Sequence, residues 1–231
     1  MAIILYMAIL LYGVNVMSSV LEEKTTRIVE VLVSSLRPFE LMLGKLLGVG
    51  AVSIFQFLIW GVSARVLISQ RSRFVSGEGM NDASQVFQIP TISSATAGVF
   101  IAYFLGGFLL YSSMYAAVGA ISSNEQEARQ AQQPVNFMLI ISFMAMFAIL
   151  NDPGSKVAVI LSLVPFSAPI AMPVRYAAGN LPATEIALSL GLLVVAIVGV
   201  TWVAARIYRV GILMTGKRPN IKEIVRWVRA A

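Results

Sequence analysis

The chain of 231 residues contains no cysteine and no histidine. The first absence excludes disulfides and thiolate metal sites, and the second removes the usual imidazole base of a nucleophilic triad and a common ligand of zinc and haem. Charge is also scarce: Asp, Glu, Lys and Arg supply 12% of the residues against 58% hydrophobic ones, about half the charge of an ordinary soluble domain. A chain of this length could not hide so much apolar surface from water, so lipid is the expected solvent. The net charge of +6 comes without a basic patch interleaved with aromatics outside the membrane-flanking segments, which argues against a nucleic-acid partner. A phosphate-cradling loop is missing as well. Leu46 and Arg218 follow Gly44-Lys45 and Gly216-Lys217 where such a loop needs Ser or Thr.

What is present is a series of long apolar runs. Met1 to Leu21 carries no charge, and about 20 residues at 1.5 Å rise cross the roughly 30 Å hydrocarbon core. It lacks the basic n-region and cleavage pattern of a signal peptide. Further spans are expected at 46–67, with Arg65 snorkelling at the far end, and at 97–121, 132–150 and 186–205. The polar stretch from Gln70 to Ser94 reads as a loop. Residues 157–174 are apolar but broken by Pro165, Pro169 and Pro173, and they read as a re-entrant hairpin on the outer face. The expected fold is therefore all-α: one polytopic membrane helix bundle of about five transmembrane helices, an outer re-entrant hairpin and cytoplasmic amphipathic helices.

With five crossings, twelve Lys and Arg residues fall on one side and four on the other, leaving Arg65 within a span. The positive-inside rule puts the richer side, with the tail 206–231, in the cytoplasm. The expected location is a cell's inner (plasma) membrane, multi-pass, with the N-terminus outside. The tail segment from Asn220 to Arg229 has an apolar face beside Lys222, Arg226 and Arg229, as in a helix attracted to anionic lipid.

Residues 22–36 read EEKTTRIVEVLVSSL. Ile28, Val31, Leu32 and Leu36 share a helical face that excludes Glu23, Arg27 and Glu30. Such a helix either lies on the headgroups or docks a soluble partner, its acidic residues gaining little from anionic lipid.

The run EEKTTRIVEVLVSSLRPFELMLGK from Glu22 to Lys45 resembles the signature of permeases of type 2 ATP-binding-cassette (ABC) exporters, above all the sodium-efflux and multidrug branch. Glu23, Lys24, Glu30, Leu32, Ser34, Glu40, Leu41, Leu43, Gly44 and Lys45 match it, and Ser35 stands where that family has Pro. The stretches Leu163–Gly179, Ala204–Leu213 and Asn220–Arg229 are similar too. The resemblance implies a membrane-spanning permease subunit that moves an ion, a drug or a lipid-like solute outward. It implies a second permease half, as homodimer or heterodimer, and ATPase subunits that hold ATP and Mg while this chain binds no cofactor. It further implies that 22–36 contains the coupling helix, with Glu22, Glu23, Lys24, Arg27, Ile28, Glu30 and Leu32 at the ATPase. In that family a half-transporter has six spans, the first two separated by an external domain, so this sequence reads as N-terminally truncated, beginning at the second span.

Gly44 with Gly48 and Ala102 with Gly106 form small-x-x-x-small pairs suited to close helix packing, within one subunit or at a dimer seam. Asn15 and Gln56 are polar positions inside apolar spans, fit for an interhelical hydrogen bond or for contact with cargo. Arg175 follows the proline-rich segment and is expected either to anchor it at the headgroups or to line an exit. The competing functional reading is an ATPase-independent membrane protein, a secondary carrier or an assembly scaffold. Mid-span carboxylate pairs, which a proton-coupled carrier would need, are missing.

Overall fold

The computed structural model describes residues 2–26, 38–74, 94–179 and 181–212. Among them stand eight helices and no strand: α1 (Ala2–Thr25), α2 (Pro38–Phe74), α3 (Ser94–Ile121), α4 (Glu125–Ala131), α5 (Gln133–Asn151), α6 (Lys156–Leu163), α7 (Ala168–Ala178) and α8 (Ala183–Gly211). Five of these, α1, α2, α3, α5 and α8, are long and apolar enough to cross a membrane. The chain is thus the all-helical polytopic bundle expected from its apolar runs.

The core is built around α3, whose Tyr103, Phe104, Phe108, Leu110, Tyr111 and Tyr115 are all buried. In lipid there is little hydrophobic drive between helices, so close van der Waals fit must hold them together. Glycines of α3 supply that fit. A Cβ at Gly106 would stand 2.5 Å from Leu193 of α8, one at Gly107 2.6 Å from Pro169 of α7, and one at Gly119 2.6 Å from the Met17 carbonyl of α1. Each neighbour rests in a notch that any larger side chain would fill. The outward faces show Phe55, Trp60, Ile141 and Val195 to the surroundings, as lipid-facing residues should.

The proline-broken segment folds as a helical hairpin of α6 and α7. Pro169 lies in the first turn of α7, where its missing N–H costs nothing, and Pro173 lies inside it. The turn between the helices is set among the middles of α3 and α5: Tyr111 donates to the Phe166 carbonyl at 2.8 Å and Ser142 donates to the same oxygen at 3.0 Å. Ser167 donates to the Leu161 carbonyl at 2.6 Å, and Ser189 of α8 donates to that of Ser162 at 2.7 Å. A backbone broken at this depth survives because protein groups satisfy it. Both open ends of the hairpin lie at the same end of the bundle, since Arg175 of α7 reaches Pro153 before α6 and Glu185 in the first turn of α8. The segment therefore returns to the side it left. Tyr111→Phe combined with Ser142→Ala leaves the Phe166 carbonyl without either donor and is expected to cost about 1–3 kcal/mol. Limited proteolysis in detergent should then cut between α5 and α8 sooner than in the unaltered chain.

Some boundaries differ from the sequence expectation. α2 runs to Phe74, so residues 70–74 are helical rather than loop; an uninterrupted backbone ladder carries the helix past its apolar part. α1 continues through Thr25, so Glu22, Glu23 and Lys24 form the last turns of the first span rather than the start of a separate helix. Arg27, Ile28, Glu30 and Leu32 lie outside the described residues, as does the tail beyond 212. A short helix not expected from the sequence, α4, starts with Asn124 accepting from the Glu127 N–H at 2.9 Å while the Glu127 carboxylate accepts from the Ser123 N–H at 3.0 Å, a reciprocal cap.

Candidate functional site

Glu22, Glu23, Lys24, Glu40 and Lys45, the described charged residues of the first signature run, lie where α1 stops and α2 starts. The end of α3, the whole of α4 and the end of α8 share that end of the bundle. Glu23 of α1 and Lys45 of α2 form an ion pair at 2.7 Å, their side chains 25% and 11% exposed. Lys24 points the other way. It is buried, and its Nζ donates to the Ala120 carbonyl at 2.6 Å, placing a positive charge on the negative end of α3. Glu127 of α4 lies within electrostatic reach of that ammonium. The hydroxyl of Tyr208, buried in the last turns of α8, stands near Glu23. Five helices therefore meet at one polar knot.

Above the knot, between α1 and α2, opens a cleft of about 610 Å³. Its walls are chiefly apolar, from Leu41, Val49 and Val52, with Tyr12 and Asn15 on the α1 side and Glu23, Glu40 and Lys45 at its polar end. Gly44 and Gly48 face the same space, and a Cβ on either would meet nothing within 4 Å. Small side chains on α2 keep this cleft wide instead of drawing a helix of this chain close.

The structure thus brings Asn15, Glu23, Gly44 and Gly48 to one cleft, which Gln56, Ala102, Gly106 and Arg175 do not line. Among the described residues nothing packs against Gly44 or Gly48, a correction to the expected close packing within one subunit that follows from the empty space in front of them. Gly106 does lie against α8, with Ala102 half-buried one turn earlier. Gln56 is half-buried on α2 and does not line the cleft. Arg175 is turned inward, away from the surface position expected of a headgroup anchor. It is 4% exposed and donates to the Pro153 carbonyl at 2.8 Å, to Ser162 Oγ at 3.1 Å and to Glu185 Oε2 at 2.5 Å. A guanidinium has donors enough for all three and so fastens the hairpin to α8. Glu22 is exposed, whereas Glu23 and Lys24 spend their charges inside the chain.

Sequence reasoning placed Lys45 in the signature run without assigning it a site. Its position in the second turn of an apolar helix, two turns from Pro38, is the signal that it must find a carboxylate. Tyr208 left no such signal, because tyrosine is common at membrane boundaries. At the same boundary Arg206 stacks 3.8 Å over the Trp202 ring, an interfacial anchor on α8. Among the described residues no group of three or more His, Cys, Asp or Glu could hold a metal ion.

Residues 1–206 match the family described as ABC-2 family transporter protein. The chain is 30% identical over 234 residues to the uncharacterized protein YhaP of Bacillus subtilis (strain 168), covering 100% of this chain and 54% of that relative. It is 31% identical over 223 residues to the uncharacterized protein MJ1024 of Methanocaldococcus jannaschii, covering 96% of this chain and 51% of that one. The chain thus spans about half the length of the curated relatives it matches. No solved structure matches it significantly.

Proposed function

This chain belongs to the ABC-2 transporter family, whose members are membrane permease components, and from that premise we propose that it is the membrane-spanning subunit of an exporter driven by a separate ABC ATPase. The observation that carries this reading is the family match across all five apolar helices, α8 included to within its last turns. In it the chain moves an ion, drug or lipid-like solute outward, in the sodium-efflux and multidrug branch that Glu22–Lys45 resembles, together with a second permease half. The end carrying Glu23, Lys24 and Lys45 faces the cytoplasm of a cell bounded by its inner membrane, in keeping with the bias of Lys and Arg. ATP and Mg sit on the ATPase.

Docking falls to the segment leaving α1. Because Glu23 and Lys24 are engaged within the chain, the charges offered to the partner are Glu22, Arg27 and Glu30, with Ile28 and Leu32 as the apolar contacts. Charged pairs at such an interface set register, and truncating one partner costs affinity. Replacing Glu22, Arg27 and Glu30 together by Ala is expected to weaken co-purification of a cassette ATPase encoded beside this chain by at least about 10-fold. Undiminished recovery of the ATPase would remove the docking role. If no cassette ATPase binds the unaltered chain at all, the ATPase-independent carrier or scaffold takes its place.

A further inference from the structure

α2 packs on α3 and α8, with a lighter contact to α1. Met42, Leu46, Ser53 and Gly50 are buried on one face, and Phe57 continues it, its ring 4.4 Å from that of Phe104 between centroids. At Gly50 the Phe108 ring comes to 3.1 Å of where a Cβ would stand. The seam with α3 is otherwise apolar, the buried Ser53 hydroxyl donating within α2 to the Gly50 carbonyl at 2.7 Å. On the side towards α1 the contact is lighter; the 610 Å³ cleft lies there, and the Glu23–Lys45 pair bridges its polar end at 2.7 Å. α1, in contrast, is fixed to α3 twice, by Lys24 on the Ala120 carbonyl and by the close approach of its backbone at Met17 to Gly119.

A well-anchored helix, a neighbour set off from it by a cleft and an ion pair across the gap between them make a hinge with a catch. The pair is mostly withdrawn from solvent, where it is screened less than an exposed pair. Glu22 and Tyr208 stand within electrostatic reach of it, on Lys45 and on Glu23 respectively, and Glu40 lines the same end of the cleft.

We propose that the cleft between α1 and α2 is a lateral gate of the permease and that Glu23–Lys45 is its latch. With the pair formed, α2 is held at its present tilt; with the pair broken, α2 rolls on the α3 seam and the cleft widens towards the bilayer. Glu23 and Lys45 are positioning residues in this scheme, acting on helix angle rather than on a solute. The inference rests on the reading as a permease, but its test requires neither transport nor an ATPase, so the two can fail separately.

The lack of native cysteine allows spin labels to be placed on pairs of introduced thiols in the whole chain reconstituted in lipid nanodiscs. Leu11 of α1 and Phe55 of α2, both exposed, report the gate as Leu11→Cys with Phe55→Cys; Leu11→Cys with Ile101→Cys reports the fixed α1–α3 pair. Double electron–electron resonance should show the first distance lengthened or broadened by about 5 Å in Lys45→Gln and in Glu23→Gln, with the second unchanged. Exchanging the charges, Glu23→Lys with Lys45→Glu, should bring the first distance back. A first distance indifferent to both neutralisations overturns the proposal. So does an equal change in the α1–α3 pair, which would mean general loosening, or an exchanged pair that stays displaced.

Discussion

Arg175→Ala is expected to lower the stability of the detergent-solubilised chain by about 3 kcal/mol, the cost of removing one partner from a buried ion pair. The lost groups are three at once: the tie to the Pro153 carbonyl, the tie to Ser162 and the pair with Glu185. A midpoint lower by on the order of 10 °C in a thermal unfolding assay would register it. Arg175→Lys keeps the charge but has no planar fork to serve three acceptors in different directions, so it should recover only part of the loss. Glu185→Gln should cost less than Arg175→Ala, because Glu185 is 31% exposed and the ties of Arg175 to the Pro153 carbonyl and to Ser162 survive. If the two single variants fall equally, the hairpin is held by the ion pair alone and the assignment of Arg175 as a three-way fastener is wrong.

Gly119→Leu should be nearly as damaging, by about 1–3 kcal/mol or more, since a side chain there must push α1 away from α3 against the Met17 backbone. Gly48→Leu is the contrast. It enters open space on the cleft and is expected to leave the melting midpoint within about 0.5 kcal/mol of the parent. The comparison uses the same substitution at two glycines inside apolar helices, of which only Gly48 carries a small-x-x-x-small spacing within its helix. A Gly48→Leu chain as unstable as Gly119→Leu would show that the cleft is closed in the folded state.

That pair of glycines marks where sequence reading stops. Spans were legible because hydropathy and length act on each helix separately: the run from Ile186 to Ala205 announces a crossing whatever it packs against. The hairpin was legible for the same reason, since Pro165, Pro169 and Pro173 act locally on the backbone. Packing was not, because the spacing of Gly44 and Gly48 says that a helix could approach, not that one does. Of the α3 glycines that do receive a neighbour, Gly106 carries such a spacing, with Ala102, whereas Gly107 and Gly119 stand among aromatics and alanines with no spacing to set them apart. The candidate site was legible in part. The signature run named Glu23, Lys24 and Lys45, but not that Lys24 turns inward to the end of α3 and Glu23 across to α2. Those directions depend on where residues 120 and 45 arrive, and only the tertiary fold brings them there.

One dimension of the bundle has a mechanical meaning. At 37 residues α2 is about 55 Å long, against roughly 30 Å of hydrocarbon, so it projects well beyond the membrane at one end or both. A rod of that length multiplies small rotations: a tilt of about 5° at the end beside Lys45 would carry the end at Phe74 through about 5 Å. Motion too slight to disturb the core around Tyr111 would thus arrive at the opposite surface at the scale of a whole side chain, with the helix itself as the lever arm.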